Sequence, residues 1–192
     1  AECIKNNKAK NPIVFSFQNI NGSFAPKATA TNSTEDKCHL SRCYKSAQLF
    51  HKNAMCTAVH GLADTRLTKE MANTLACNMA EKNIFLLSSH MPYGTNTGGV
   101  ALMMAPQWAA ALISVVGSND GRTLETTFIS KDSLSQILII VAYPPPAGGT
   151  DRKKQGITNN QIRRNVNKRI HKAYRKFEAK IWALGVTGTV II

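Results

Sequence analysis

Gln136-Ile137-Leu138-Ile139-Ile140-Val141-Ala142-Tyr143 runs directly into Pro144-Pro145-Pro146, and this passage decides the fold. A short apolar, β-branched run bounded by breakers reads as a buried strand. Three prolines then forbid further ladder pairing, and Ala147-Gly148-Gly149 loosens the chain into a loop. Beyond it, Thr158 or Asn159 can cap a helix whose stripe is Ile162, Val166, Ile170, Ala173, Phe177, Ile181 and Leu184, closed by Gly185. Val186 to Ile192 reads as one more strand.

Upstream, Ile13 to Asn19 alternates with period two, as a half-buried strand does, and ends in the turn signal Asn21-Gly22. Residues 24–36 read as a loop leading to a helix over 40–52, and a second strand ends near Leu62. Leu67, Met71, Leu75 and Met79 recur every fourth residue, which predicts an amphipathic helix ending near Lys82. Short apolar runs at 84–88, 99–104, 110–115 and 123–129, separated by Gly, Pro, Asn and Asp, predict hairpins within a sheet. Helices packed around strands make a mixed α/β sandwich, with one domain over 11–192 and a polar tail over 1–10.

The chain's 24 basic against 11 acidic residues give a formal charge of +13. Such an excess favours polyanions through long-range attraction and counterion release, and nucleic acid heads that class. Basic proteins of ribosomes, membrane surfaces and capsids share the signature. No run approaches the ~20 apolar residues of a membrane span, and Ala1 to Lys10 lacks the apolar core of a secretory signal. Five cysteines, an odd set without CxxC spacing, read as free thiols in a reducing compartment. The expected location is intracellular and nuclear.

Four features can carry chemistry. Asn19 and Asn21 stand two apart at a strand end, where amide oxygens suit a hard cation or a phosphate network, or make ordinary turn contacts. Asp64 lies where a strand meets a helix and can ligate Mg2+ through one carboxylate oxygen, or cap the helix. Tyr143 is delivered to a strand exit, as a donor to phosphate or as a rim tyrosine. The last long helix carries Arg163, Arg164, Lys168, Arg169, Lys172, Arg175, Lys176 and Lys180 with only Glu178 to offset them. That excess over what solubility needs favours phosphate contact over a plain solvated face.

Asn-x-Asn-Gly after the first strand, Asp64-Thr65-Arg66-Leu67, Gly98-Gly99-Val100-Ala101-Leu102, Asp120-Gly121-Arg122 and Ala142-Tyr143-Pro144-Pro145 occur in one order. Together, from about Ile13 to Ile192, they resemble the endonuclease/exonuclease/phosphatase family: apurinic/apyrimidinic endonucleases, deoxyribonuclease I and, nearest, the endonucleases of LINE-type retrotransposons. The resemblance implies a four-layer α/β sandwich of the deoxyribonuclease I-like type, present here as its N-terminal half. It implies a DNA endonuclease using Mg2+, with Mn2+ and RNA as alternatives, and a parent chain supplying a C-terminal half or a reverse transcriptase domain. Asn19 and Tyr143 would be catalytic, and Asp64 and Asn21 would face the metal.

Two departures accompany the resemblance. Asp64 stands where the family has a glutamate, which withdraws the carboxylate by roughly 1.5 Å, and displacements of about 1 Å can lower rates by orders of magnitude. The Gly-Asp-x-Asn and Ser-Asp-His segments do not occur, and none of His39, His51, His60, His90 or His171 sits in the corresponding motif. The general base and its histidine would come from the missing half, so little cleavage is expected from this chain alone. Loss of that half is expected to expose the inner sheet face, including Ile139 and Val141, and to favour aggregation. The competing readings are a catalytically dead basic nucleic-acid-binding module and a basic structural protein of a large assembly.

Overall fold

Strand β7 (Ser135–Ala142) is buried on both faces from Leu138 to Val141, which is why its sequence is apolar from Ile137 onward. The computed structural model containing it describes residues 14–20, 57–90, 97–130, 135–146 and 157–192. The tail, the Asn21-Gly22 turn, the helix over 40–52 and the Ala147-Gly148-Gly149 loop lie outside the described residues.

The first sheet holds β1 (Val14–Asn19), β2 (Thr57–Ala63), β3 (Phe85–Ser89) and β4 (Val100–Met104) in the order β1-β2-β4-β3. β1 is parallel to β2, and β4 is antiparallel to both of its neighbours. The second holds β5 (Leu112–Gly117), β6 (Thr123–Ile129), β7 and β8 (Thr187–Ile191) in sequence order. β5, β6 and β7 form the expected antiparallel hairpins, whereas β8 is parallel to β7 and is reached through a helix.

The sheets stack face to face. Val59, Val100, Leu102 and Met104 of the first meet Leu124, Phe128, Ile139 and Val141 of the second. Helix α1 (Lys69–Ala80) covers the other face of the first sheet, setting Ala72, Leu75 and Met79 against Leu62, Ala101 and Met103. Helix α3 (Asn159–Leu184) covers the second, setting Ala173 and Phe177 against Leu138 and Ile140. The chain is a four-layer α/β sandwich. Phe128, fully buried at its centre, would cost about 3–5 kcal/mol if truncated to alanine.

This stacking corrects one expectation. Ile139 and Val141 are buried rather than open, because the chain supplies both facing sheets and not one of them. Exposed large apolar residues lie instead at the sheet margins, as Phe17 on β1, Phe85 on β3, and Ile113, Val115 and Val116 on β5 do, and on or near the last helix, as Ile157, Tyr174, Trp182 and Leu184 do. Phe17 lies over Gly61, the one neighbour on β2 without a side chain to displace it.

Local signals place the helices. Thr158 and Gln161 form a reciprocal capping box at the start of α3, and Gly185 ends it at φ 62°. Leu184, expected on the buried stripe, is exposed at the helix end. Thr68 caps α1 by accepting from the Met71 amide. A short helix α2 (Pro106–Ala109) was not expected, and it moves the next strand from 110–115 to Leu112–Gly117. Pro106 at its first position was the available signal.

Candidate functional site at the strand ends

As β2 ends, Asp64 and Arg66 both adopt φ 54°, a left-handed conformation unusual outside glycine. The bend is tied to the start of β4 by two backbone bonds, Thr65 N to Gly99 O at 2.9 Å and Arg66 N to Gly98 O at 2.9 Å. Gly99, at φ 79°, is required there, since a Cβ would press on the Thr65 hydroxyl and lie 3.0 Å from the Arg66 nitrogen. The same contact holds Asp64, whose Oδ1 accepts from the Gly98 amide at 3.0 Å.

Asp64 is only 1% exposed, and a carboxylate so buried must be satisfied. Arg66 does most of this, with Nη2 at 3.1 Å from Oδ2 and Nε at 3.4 Å from Oδ1. Asp64 is not a helix cap, because Thr68 fills that role.

The second sheet contributes from the opposite side. Tyr143 follows β7, fixed by its amide to Arg122 O at 2.9 Å, and its phenol lies close enough to Asp64 to feel that carboxylate's charge. Burial, then the Asp64 charge, push the phenol above its ordinary value despite the opposing charges of Arg122 and Arg66. Tyr143 is thereby held as a protonated donor. Arg122, 5% exposed, lies 5.6 Å over the Tyr143 ring and donates to Tyr143 O at 3.5 Å and Thr97 Oγ1 at 3.3 Å. It is aimed by the turn before β6, where Ser118 Oγ and Asp120 Oδ1 accept from its backbone nitrogen.

The structure therefore brings Asp64 and Tyr143 into one neighbourhood, linked by charge. Asn19 ends β1 opposite Ala63, at the same end of the sheet. Asn21 lies outside the described residues. Thr97 was missed in the sequence, and Arg66 and Arg122 were noted only as parts of motifs.

The basic helix face is elsewhere, on the outer layer, and it divides. Arg163 is half-buried and donates to Pro145 O at 2.8 Å, near the strand ends. Arg169 is also half-buried, pairing with Asp120 at 2.6 and 2.8 Å. Arg164, Lys168, Lys172, Arg175 and Lys176 are exposed. Glu125 lies under the helix; its burial raises its carboxyl above the usual range, opposed by Lys176, Lys172 and Arg169.

A divalent ion does not fit these side chains as placed. Among the described residues no three His, Cys, Asp or Glu groups converge, and the Arg66 guanidinium occupies the place beside Asp64 that a cation would take.

No family model matches the chain, and no curated protein matches its sequence. Among solved structures, an AP endonuclease from Archaeoglobus fulgidus is similar at TM-score 0.50 and 12% identity, over 84% of this chain and 50% of that one. An AP endonuclease from Leishmania major is similar at TM-score 0.49 and 18% identity, over 71% of this chain and 41% of that one. The Archaeoglobus likeness bears on the fold, which is the deoxyribonuclease I-like α/β sandwich. The chain spans half or less of the length of these structures.

Proposed function

We propose that the chain is the N-terminal part of a retroelement-derived endonuclease that hydrolyses DNA phosphodiesters, and that it is inactive without its C-terminal half. The observation that carries this reading is the meeting of Asp64 and Tyr143, brought from two different sheets to one strand end. Groups held at the ends of rigid strands suit an anionic substrate better than a loop would. There Tyr143 keeps its proton to donate to a phosphoryl oxygen, Arg122 holds the ring, and Asn19 supplies an amide beside them.

Mg2+ is the ion of this reading, with Mn2+ as substitute, and when bound it would neutralise charge developing on phosphate. Asp64 can serve it only after Arg66 is displaced. Arg164, Lys168, Lys172, Arg175 and Lys176 would contact nucleic-acid phosphates, with Arg163 and Arg169 freed from their present contacts. DNA is the partner, RNA the alternative, and the nucleus the compartment. Among the described residues no helix is long and apolar enough to cross a membrane.

One observation favours a second reading, a catalytically dead nucleic-acid-binding module: the carboxylate expected to hold metal is already paired with Arg66. The deciding experiment is nicking of supercoiled plasmid by the chain extended through its C-terminal half. Mg2+-dependent nicking, lost on Asp64→Ala and reduced at least tenfold on Tyr143→Phe, supports the nuclease. Salt-sensitive, metal-independent DNA binding without nicking supports the module.

A further inference from the structure

On α3, Arg164, Lys168, Arg175 and Trp182 fall within about 40° of one another at about 100° per residue. They face away from Val166, Ala173 and Phe177, which are buried on the sheet side. All four are exposed, and Trp182 is the most exposed large apolar residue described, at 83%. From Arg164 to Trp182 the stripe is about 27 Å long at 1.5 Å per residue. Glu178 is the one acidic residue of the helix, and the ion pairs among the described residues join Arg66 to Asp64 and Arg169 to Asp120, not these cations.

An open indole ordinarily suggests a protein interface, with apolar neighbours around it. Here the stripe runs back from it through Arg175, Lys168 and Arg164, and the one acid beside it is Glu178, four residues before the indole and bonded by the Tyr174 hydroxyl at 3.4 Å. The other exposed apolar side chain of this helix end, Leu184, lies about half a turn of the helix away. Cations at regular intervals with one accessible aromatic face match a polyanion that also carries free π surfaces. A duplex offers the charge but hides its base faces, whereas a single strand offers both.

We infer that this stripe binds single-stranded nucleic acid, at a surface separate from the strand-end site. Arg164, Lys168 and Arg175 take phosphates along the strand, and an unpaired base stacks on Trp182. The surface lies on the outer helical layer, with the second sheet between it and the facing sheet interior. It rests on the nucleic-acid part of the proposed reading and not on hydrolysis.

The test uses the full chain without metal, so an absence of nicking leaves its result standing. Of the two tryptophans, Trp108 is packed edge-on between Phe15 and Phe128, so Trp182 is the one open to a ligand. Short oligo(dT) should quench its emission, and added salt should reverse the quenching. By anisotropy of a labelled strand, Trp182→Ala should weaken binding about tenfold. Lys168→Ala and Arg175→Ala should each lower the slope of log affinity against log salt by about 0.7. These side chains are exposed, and circular dichroism will show that the variants keep their fold. Equal affinity for a duplex of the same length or for heparin would overturn the inference, as would an unchanged affinity in Trp182→Ala or no binding.

Discussion

Arg66 stands two residues from Asp64 and places its guanidinium 3.1 Å from Oδ2, so the acid best placed to hold a cation already has one. Removing that guanidinium should free the carboxylate. Arg66→Gln is expected to bind Mn2+ several-fold more tightly than the parent, read by paramagnetic broadening or calorimetry. Asp64→Ala should abolish the gain. Because the released carboxylate is buried, Arg66→Gln should also lower stability by about 1–3 kcal/mol in the absence of metal. Unchanged Mn2+ binding in Arg66→Gln would show that Asp64 is not a metal ligand.

Gly99→Ala should be destabilising by about 2–4 kcal/mol, more than an ordinary loop substitution. The added methyl meets the Thr65 hydroxyl and the Arg66 nitrogen, and the backbone is at a φ that alanine resists. Urea denaturation measures it. Gly185→Ala, also left-handed but open to solvent, should show only the conformational part, about 1 kcal/mol.

Asp120 gives a prediction in pH. Burial pushes its carboxyl up, but hydrogen bonds from Arg169 and Ser118, with the Arg169 charge, outweigh this and hold it below the usual range. A carboxyl depressed in the folded state stabilises fully above its unfolded value, about 3.9, and loses that contribution as pH falls through the folded value. Asp120→Asn should therefore melt lower than the parent at pH 7, with the gap closing below about pH 4. The Arg169 pair is about one-third exposed, so Arg169→Ala should cost no more than about 1 kcal/mol.

His60 acts on the same acid limb, at higher pH. Its ring is half-buried, 2.6 Å from the Ser16 hydroxyl, and burial lowers its pKa. The folded state then resists protonation that the unfolded chain accepts, so stability should fall as pH drops below about 6.5. In His60→Gln the melting temperature should lose this dependence between about pH 6.5 and 5.

Much of the fold was legible because its signals are local. Residues 123–129 alternate between the sheet interior and the helix side, and their boundaries could be read directly. Thr158 and Gly185 mark the last helix by hydrogen-bond chemistry that operates within four residues. The shift of β5 shows the limit: Ala109 to Ala111 suit a strand or a helix end, and packing of Trp108 decides between them. The site was legible only in part. Asp64 and Tyr143 stood out as polar residues at strand exits, but their approach depends on how two sheets stack, which no local pattern encodes. Arg122 could have been suspected, since an arginine flanked by a tight turn and a buried strand needs partners.

All described strands of the first sheet precede Ala105, and all those of the second follow Ala111. Neither sheet borrows a strand from the other, so each can assemble from its own uninterrupted stretch of chain. During synthesis the first would emerge complete, with Val59, Val100 and Leu102 facing solvent until the second arrives. Trp108, on the short helix joining them, touches Phe15 at 5.5 Å and Phe128 at 5.4 Å, one ring from each sheet. Substituting Trp108 should therefore slow the docking of the two units more than the formation of either.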